Sequence, residues 1–407
     1  MSSRKILLIL SFISFFFHQA NVFPQGKPYV ILVSYDAFRW DYTQRGLTPN
    51  LDSVAVRGVS ALSLRPAFPS KTFPNHTSIA TGMYPEHHGI IHNSFYDPFT
   101  GRQYSISDTA EVTDGRWYLG ESFWQTAERQ GIKTASYFFP GTPLRNAERN
   151  PHYYEIYEHK RPYINRIEGV INWLKMPYKD RPHFITLYMD ETDRQGHRYG
   201  PHSPQVNGAV KLLDSLSGVL LGRLKEIGMY DSTNVIFLSD HGMAEISSQR
   251  LLNIEEILGP GNRMDGDGPV MMIEPKGGEA DKIYKKLKEN ERHFKVYTRE
   301  NIPGYFHFSD NPFIFPVIVV ADPGWSLVDN NSVKYYSKNK GNHGYDNNFM
   351  DMHGIFFAEG PAFKNHYKTG SLWNIDIYPL LCRIFNIMPR KNIDGSLDRI
   401  EFLLKEN

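Results

Sequence analysis

Cysteine is almost absent. Cys382 is the only one in 407 residues, so the chain makes no internal disulfide, and its stability has to come from other sources, its core first. Set in an apolar helical pattern, Cys382 reads as a small buried side chain. Net charge is almost absent too. With 45 basic against 44 acidic residues, the formal charge is +1; no overall field draws the chain to a nucleic-acid duplex or an anionic bilayer, and any phosphate recognition must be local. Beyond the N-terminus there is no long apolar run, so no membrane span is expected once a leader is removed. Internal repeats, low-complexity tracts and long Pro/Gly/Ser linkers are also missing, which favours one domain over two.

What is present begins with an export signal over residues 1–25. Arg4 and Lys5 open it, and the apolar run from Ile6 to Phe17 is too short to span a bilayer. No cysteine closes this segment, which argues against a lipidated N-terminus. Residues 26–407 are expected to form a single domain of an exported protein, in a periplasm, outside the cell or at its surface. Hydrophobic residues at 41% and aromatic residues at 14% support a sizeable core. Strand patterns over 29–35, 134–139, 184–189 and 234–239 alternate with helical patterns over 120–130, 163–175 and 205–227. This is the signature of βαβ units, hence an α/β fold with a mainly parallel central sheet flanked by helices. Further strands are expected over 269–273, 295–298, 316–320 and 355–358, with helices over 280–291 and 372–385. The stretch 297–342 reads as loops or a small subdomain on the sheet.

Asp36, Asp190, Asp193 and Asp240 all follow expected strands, and in parallel α/β sheets the carboxyl ends of strands face a common crevice. Asp193 and His197 stand four residues apart, Asp240 and His241 are adjacent, and His343 lies in the glycine-flanked Gly341-Asn-His-Gly-Tyr345. Each has an ordinary reading alone; Asp36, for instance, could be a helix N-cap. Together Asp36, Asp193, His197, Asp240, His241 and His343 suffice for two zinc ions with open positions, and the mixed Asp/His set favours zinc. Thr72 lies in Lys71-Thr-Phe-Pro-Asn-His76, expected to be a rigid polar turn. A threonine hydroxyl attacks only with a base or a metal to activate it. Asn75-His-Thr77 in the same stretch is formally a glycosylation acceptor.

Taken with Thr81-Gly-Met-Tyr-Pro-Glu86, His88-Gly-Ile-Ile91, Asn93, Trp117-Tyr118, Phe138-Phe-Pro-Gly141, Leu187-Tyr188, Gly196-His197, Ser239-Asp-His-Gly-Met243 and His343-Gly-Tyr-Asp346, the chain resembles the nucleotide pyrophosphatase/phosphodiesterase branch of the alkaline phosphatase superfamily. The resemblance implies an alkaline-phosphatase-like catalytic domain over 26–407 with loop or subdomain insertions. It implies that Asp36, Thr72, Asp240 and His241 hold one zinc ion and Asp193, His197 and His343 the other. It further implies a covalent threonine intermediate, Asn93 donating to a phosphate oxygen, and Phe73, Tyr157 and Tyr188 sandwiching a nucleobase. The expected substrate is a small nucleotide diester or pyrophosphate, cleaved to a nucleoside 5′-monophosphate. Two other readings stay open: a choline-type glycerophosphodiester or lysophospholipid phosphodiesterase, and an inactive zinc-containing binding protein. Thr192 departs from the proline common in the family, and His353, in Asp351-Met-His-Gly354, is expected to be structural or to stand behind the ligands. A sulfatase is disfavoured because no Cys/Ser-x-Pro-x-Arg pattern surrounds Thr72.

Overall fold

The strand Tyr29–Tyr35 is buried at every position, which is possible only where both faces of its sheet are covered. The computed structural model describes residues 26–266 and 268–406; the leader expected over 1–25 lies outside them. Among the described residues the strand sits in an eight-stranded sheet. The order is Tyr367–Thr369, Val59–Ala61, Phe356–Glu359, Thr233–Leu238, Tyr29–Tyr35, Phe184–Met189, Thr134–Tyr137 and Tyr153–Glu155. From Thr233–Leu238 to Tyr153–Glu155 neighbouring strands run parallel. Phe356–Glu359 runs antiparallel to both of its neighbours, so the sheet is mixed with a parallel centre.

Side-chain alternation divides the apolar residues between two layers. Ile31, Val33 and Tyr35 pack with Val54 of helix Pro49–Arg57, Ile167 of helix Tyr163–Leu174 and Leu213 of helix Pro204–Glu226. Val30 and Leu32 face the opposite layer, with Ile79 of helix Thr72–Thr81, Phe123 of helix Phe123–Arg129 and Cys382 of helix Ile377–Phe385.

Some expected boundaries move for local reasons. The strand expected over 134–139 ends at Tyr137 because Phe138 adopts φ 68°. The helix expected over 120–130 starts at Phe123, behind Ser122, whose backbone N–H donates to Gln125 Oε1 at 3.0 Å in a capping box. The helix expected over 372–385 starts at Ile377, because Leu372–Trp373 first pairs with Leu64–Arg65 and a 3₁₀ turn follows. The strands near 270, 295 and 317 exist but build a separate antiparallel sheet, ordered Arg263–Asp265, Val270–Glu274, Val317–Ala321 and Phe294–Thr298. Met272, Ile318 and Val320 cover one of its faces with Phe95 and Trp117; Met271, Ile273 and Val319 cover the other with Leu287 of helix Ala280–Glu289. No helix among the described residues is long and apolar enough to cross a membrane.

Helix Pro49–Arg57 begins with proline and receives no side-chain cap from Thr48. Asp214, buried on helix Pro204–Glu226, supplies the cap across the interface. Its Oδ1 accepts the Leu51 N–H at 2.9 Å, and its Oδ2 accepts the Asn50 N–H at 3.2 Å and Asn50 Nδ2 at 2.8 Å. Asp214→Ala is expected to strand these donors at a cost of about 1–3 kcal/mol. A urea titration should show a lower midpoint at unchanged slope.

Candidate active site

Parallel pairing sets the carboxyl ends of three central strands level: Tyr35 pairs with Met189 and Ser34 with Leu238. The chain leaves the sheet just beyond, which brings Asp36, Asp193 and Asp240 to one crevice. Asp193 and His197 lie one turn apart on helix Glu191–Tyr199, so their four-residue spacing is helical. His343 arrives after Gly341–Asn342, which pairs antiparallel with Ala244–Glu245.

Thr72 is not in a turn as the sequence suggested; it is the first residue of helix Thr72–Thr81. Asn75 fixes that entry. Its Oδ1 accepts the Ala67 N–H at 2.7 Å, and its Nδ2 donates to the carbonyls of Pro69 at 3.0 Å and Lys71 at 2.9 Å. Pro74 falls within the first turn, where a missing N–H is tolerated. The positive pole of this helix therefore lies at Thr72.

The six expected ligands form two groups, Asp36/Asp240/His241 and Asp193/His197/His343, with ligand atoms in each within 4.8 Å of one another. In the first, His241 Nε2 is 3.3 Å from Asp36 Oδ1 and 3.1 Å from Asp240 Oδ2, and Thr72 Oγ1 lies 3.1 Å from the same nitrogen. In the second, Asp193 Oδ1 is 3.3 Å from His197 Nε2 and 3.5 Å from His343 Nε2, and the two nitrogens are 3.1 Å apart. The His241 and His343 rings stack at 3.7 Å and join the groups.

The proton positions follow from the outer partners. His241 Nδ1 faces the Gly242 carbonyl at 2.8 Å, His197 Nδ1 the Gly341 carbonyl at 2.9 Å, and His343 Nδ1 the Ser70 carbonyl at 2.8 Å. A carbonyl only accepts, so each Nδ1 carries the proton, and in the neutral ring Nε2 presents its lone pair inward. Asp36 Oδ1, Asp193 Oδ1 and Asp240 Oδ2 are buried without a hydrogen-bond partner. Acceptors converge here with almost no donor, an arrangement that cations satisfy. Burial, then the Asp240 and Asp193 carboxylates, hold Asp36 well above the ordinary carboxylate range. Burial, then His241 and Lys71, push His343 well below the ordinary imidazole range, leaving it neutral. The donor set fits metal ions.

Asn93 Oδ1 accepts the Phe73 N–H at 3.1 Å, which turns its donor-only Nδ2 away from the helix. Thr72, Asn93, His197 and His343 line a cleft of about 810 Å³, a size suited to a small molecule. Phe73 is half-buried against the core that contains Phe95. Tyr157 is 45% exposed and sets its ring edge-on to Phe138; burial and then Asp190 push its hydroxyl up to about 12. Tyr188, by contrast, is buried, and its hydroxyl donates to Asp36 Oδ2 at 2.5 Å. Thr192 donates to the Asp36 carbonyl at 2.5 Å, a bond that proline could not make.

His353 has both ring nitrogens engaged, with Ser63 Oγ at 2.8 Å and the Asn347 carbonyl at 3.0 Å, and burial pulls it down to about 4. It stands outside both ligand groups. His76, passed over in the sequence, belongs behind the site: its Nδ1 is 2.9 Å from the Thr72 carbonyl and 3.2 Å from Asp240 Oδ2, and its Nε2 is 2.9 Å from Ser34 Oγ. The signal for it was the four-residue step from Thr72, legible only once that stretch is read as a helix.

A family model described as type I phosphodiesterase / nucleotide pyrophosphatase matches residues 30–346. The chain belongs to this family. Human ectonucleotide pyrophosphatase/phosphodiesterase family member 1 is 36% identical over 391 residues, covering 93% of this chain and 42% of that protein. The family chain thus spans less than half of that relative's length. A bis(5′-adenosyl)-triphosphatase of Xenopus laevis is 36% identical over 381 residues, covering 93% of this chain and 82% of the relative. Murine member 5 has a solved structure with TM-score 0.88 and 32% identity, covering 93% of this chain and all of that one. An inactive threonine-to-alanine form of the same murine protein, in complex with AMP, aligns at TM-score 0.88 and 31% identity, with the same coverage.

Asn75 is fully buried, and its amide also accepts from Asn374 Nδ2 at 2.8 Å. Produced in a glycosylating host, the family chain should yield Asn75 unmodified in peptide mass mapping; a glycan there would contradict this packing.

Proposed function

We propose that the chain is an exported phosphodiesterase and pyrophosphatase that hydrolyses nucleotide phosphodiester or pyrophosphate bonds to nucleoside 5′-monophosphates, with residues 26–407 as one catalytic domain. The convergence of two Asp/His groups, one of them buried beside the Thr72 hydroxyl and the other partly open to the cleft, carries this reading. The murine relative inactivated by a threonine-to-alanine change and bound to AMP supports it. Two zinc ions, one on Asp36, Thr72, Asp240 and His241 and one on Asp193, His197 and His343, would lower the threonine's pKa and polarise a phosphoryl oxygen.

Thr72 Oγ1 bonds to phosphorus as the bond to the leaving oxygen breaks, giving a phosphothreonine diester. Water then displaces Thr72 Oγ1, which releases the monophosphate and restores the hydroxyl. Asn93 Nδ2 donates to a nonbridging oxygen, its carbonyl held by the Phe73 N–H. The helix N-terminus behind Thr72 adds partial positive charge. Phe73 and Tyr157 offer π faces to a base.

The cleft wall favours a nucleotide over a lysophospholipid. Among the described residues Lys71, Ser94, Gln103, Ser105, Asp265 and Asn342 line it, with Tyr335 and Tyr336 and the apolar side chains of Ile106 and Met264. Such a wall suits phosphate and sugar and gives an acyl chain little to bury. An inactive binding protein would have no need of Thr72 and Asn93, both of which face this cleft.

Hydrolysis of the p-nitrophenyl ester of thymidine 5′-monophosphate should exceed that of p-nitrophenyl phosphorylcholine, fall with chelator and return with zinc; preference for the choline ester would reverse the substrate reading. Thr72→Ala should retain fold and zinc yet lower turnover by roughly three orders of magnitude or more. Asp193→Ala should lose one of two ions by metal analysis, and two ions retained per chain would refute that ligand assignment.

A further inference from the structure

Tyr188 is poorly placed to stack on a base. Its ring is 7% exposed and packs edge-on against His76 at 5.3 Å. We infer that Tyr188 is a positioning residue whose hydroxyl orients Asp36 toward the Thr72-side ligand group. The inference rests on the two-ion reading of the site.

The geometry is specific. A carboxylate only accepts, so Tyr188 donates to Asp36 Oδ2 at 2.5 Å, which leaves Oδ1 facing His241 Nε2 at 3.3 Å. That oxygen is buried and has no hydrogen-bond partner. The backbone of Asp36 is fixed at both ends, its N–H donating to the Met189 carbonyl at 2.9 Å and its carbonyl accepting from Thr192. With the backbone held, the tyrosine hydroxyl selects among the remaining rotations of the carboxylate. Asp240 is held through its other oxygen, the Ala37 N–H donating to Oδ1 at 3.2 Å, while His76 Nδ1, engaged with the Thr72 carbonyl, lies 3.2 Å from Oδ2. Tyr188 and His76 touch, so the two carboxylates of the first group share one buried backing. Tyr188 makes no hydrogen bond to Asp193, so its effect falls on one group alone.

Tyr188→Phe keeps the ring and removes the hydroxyl, which separates orientation from stacking. The experiment measures zinc affinity of both sites by chelator competition in the full chain, melting of the metal-stripped protein, and KM and kcat on the thymidine ester with limiting and excess zinc. The inference expects one site weakened by about 10–100-fold and the other unchanged. It also expects an unchanged KM, and kcat lost at limiting zinc but recovered in excess. The melting curve of the stripped variant should match wild type. Unchanged affinities at both sites would overturn the inference, as would equal weakening of both or a raised KM with zinc binding intact. A wild-type chain that binds no zinc tightly would overturn the two-ion reading itself, and this inference with it.

Discussion

Three carboxylates meet beyond the ends of parallel strands, each with one oxygen that is buried and has no hydrogen-bond partner. Like charges so placed repel, and burial removes the screening that would soften the repulsion. The rest of the site answers this constraint. Three imidazoles commit their Nδ1 protons to backbone carbonyls and turn Nε2 toward the carboxylates. Such an array of acceptors fits cations, and the central sheet holds its members together.

The Asp/His groups and the facing wall of the cleft come from different parts of the fold. Asp36, Asp193 and Asp240 belong to the central sheet's crevice, and Thr72 to a helix packed against that sheet. The opposite wall of the cleft comes from the hairpin of Ser94–Asp97 with Arg102–Ser105, and from Met264 and Asp265 on the edge strand of the smaller antiparallel sheet. That wall can therefore be altered without touching the residues of the two Asp/His groups.

Much of this was legible in the sequence. The apolar runs ending in Tyr35, Met189 and Leu238 carry both the strand assignment and the place where acidic residues meet, because strand period and strand end are local properties. The direction of Phe356–Glu359 was not legible, since a short fully buried strand reads alike parallel or antiparallel. Helix Thr72–Thr81 was hidden for another reason: it is buried nearly all round yet polar, so it has no apolar stripe to betray its period. His76 was lost with it. The difference between His343 and His353 lies in which ring nitrogens are already occupied, and the hydroxyl of Tyr188 finds Asp36 only once two strands are side by side.

The ligands run from Asp36 to His343, and each group draws on segments separated by well over a hundred residues. Bringing them together means closing long loops, whose entropy must be overcome before either group is complete. No short stretch of chain contains even half of the centre. Under the two-ion reading, a chain in which these segments have not yet met would present scattered single ligands with little hold on metal. The proposed centre would then report on assembly as well as carry chemistry.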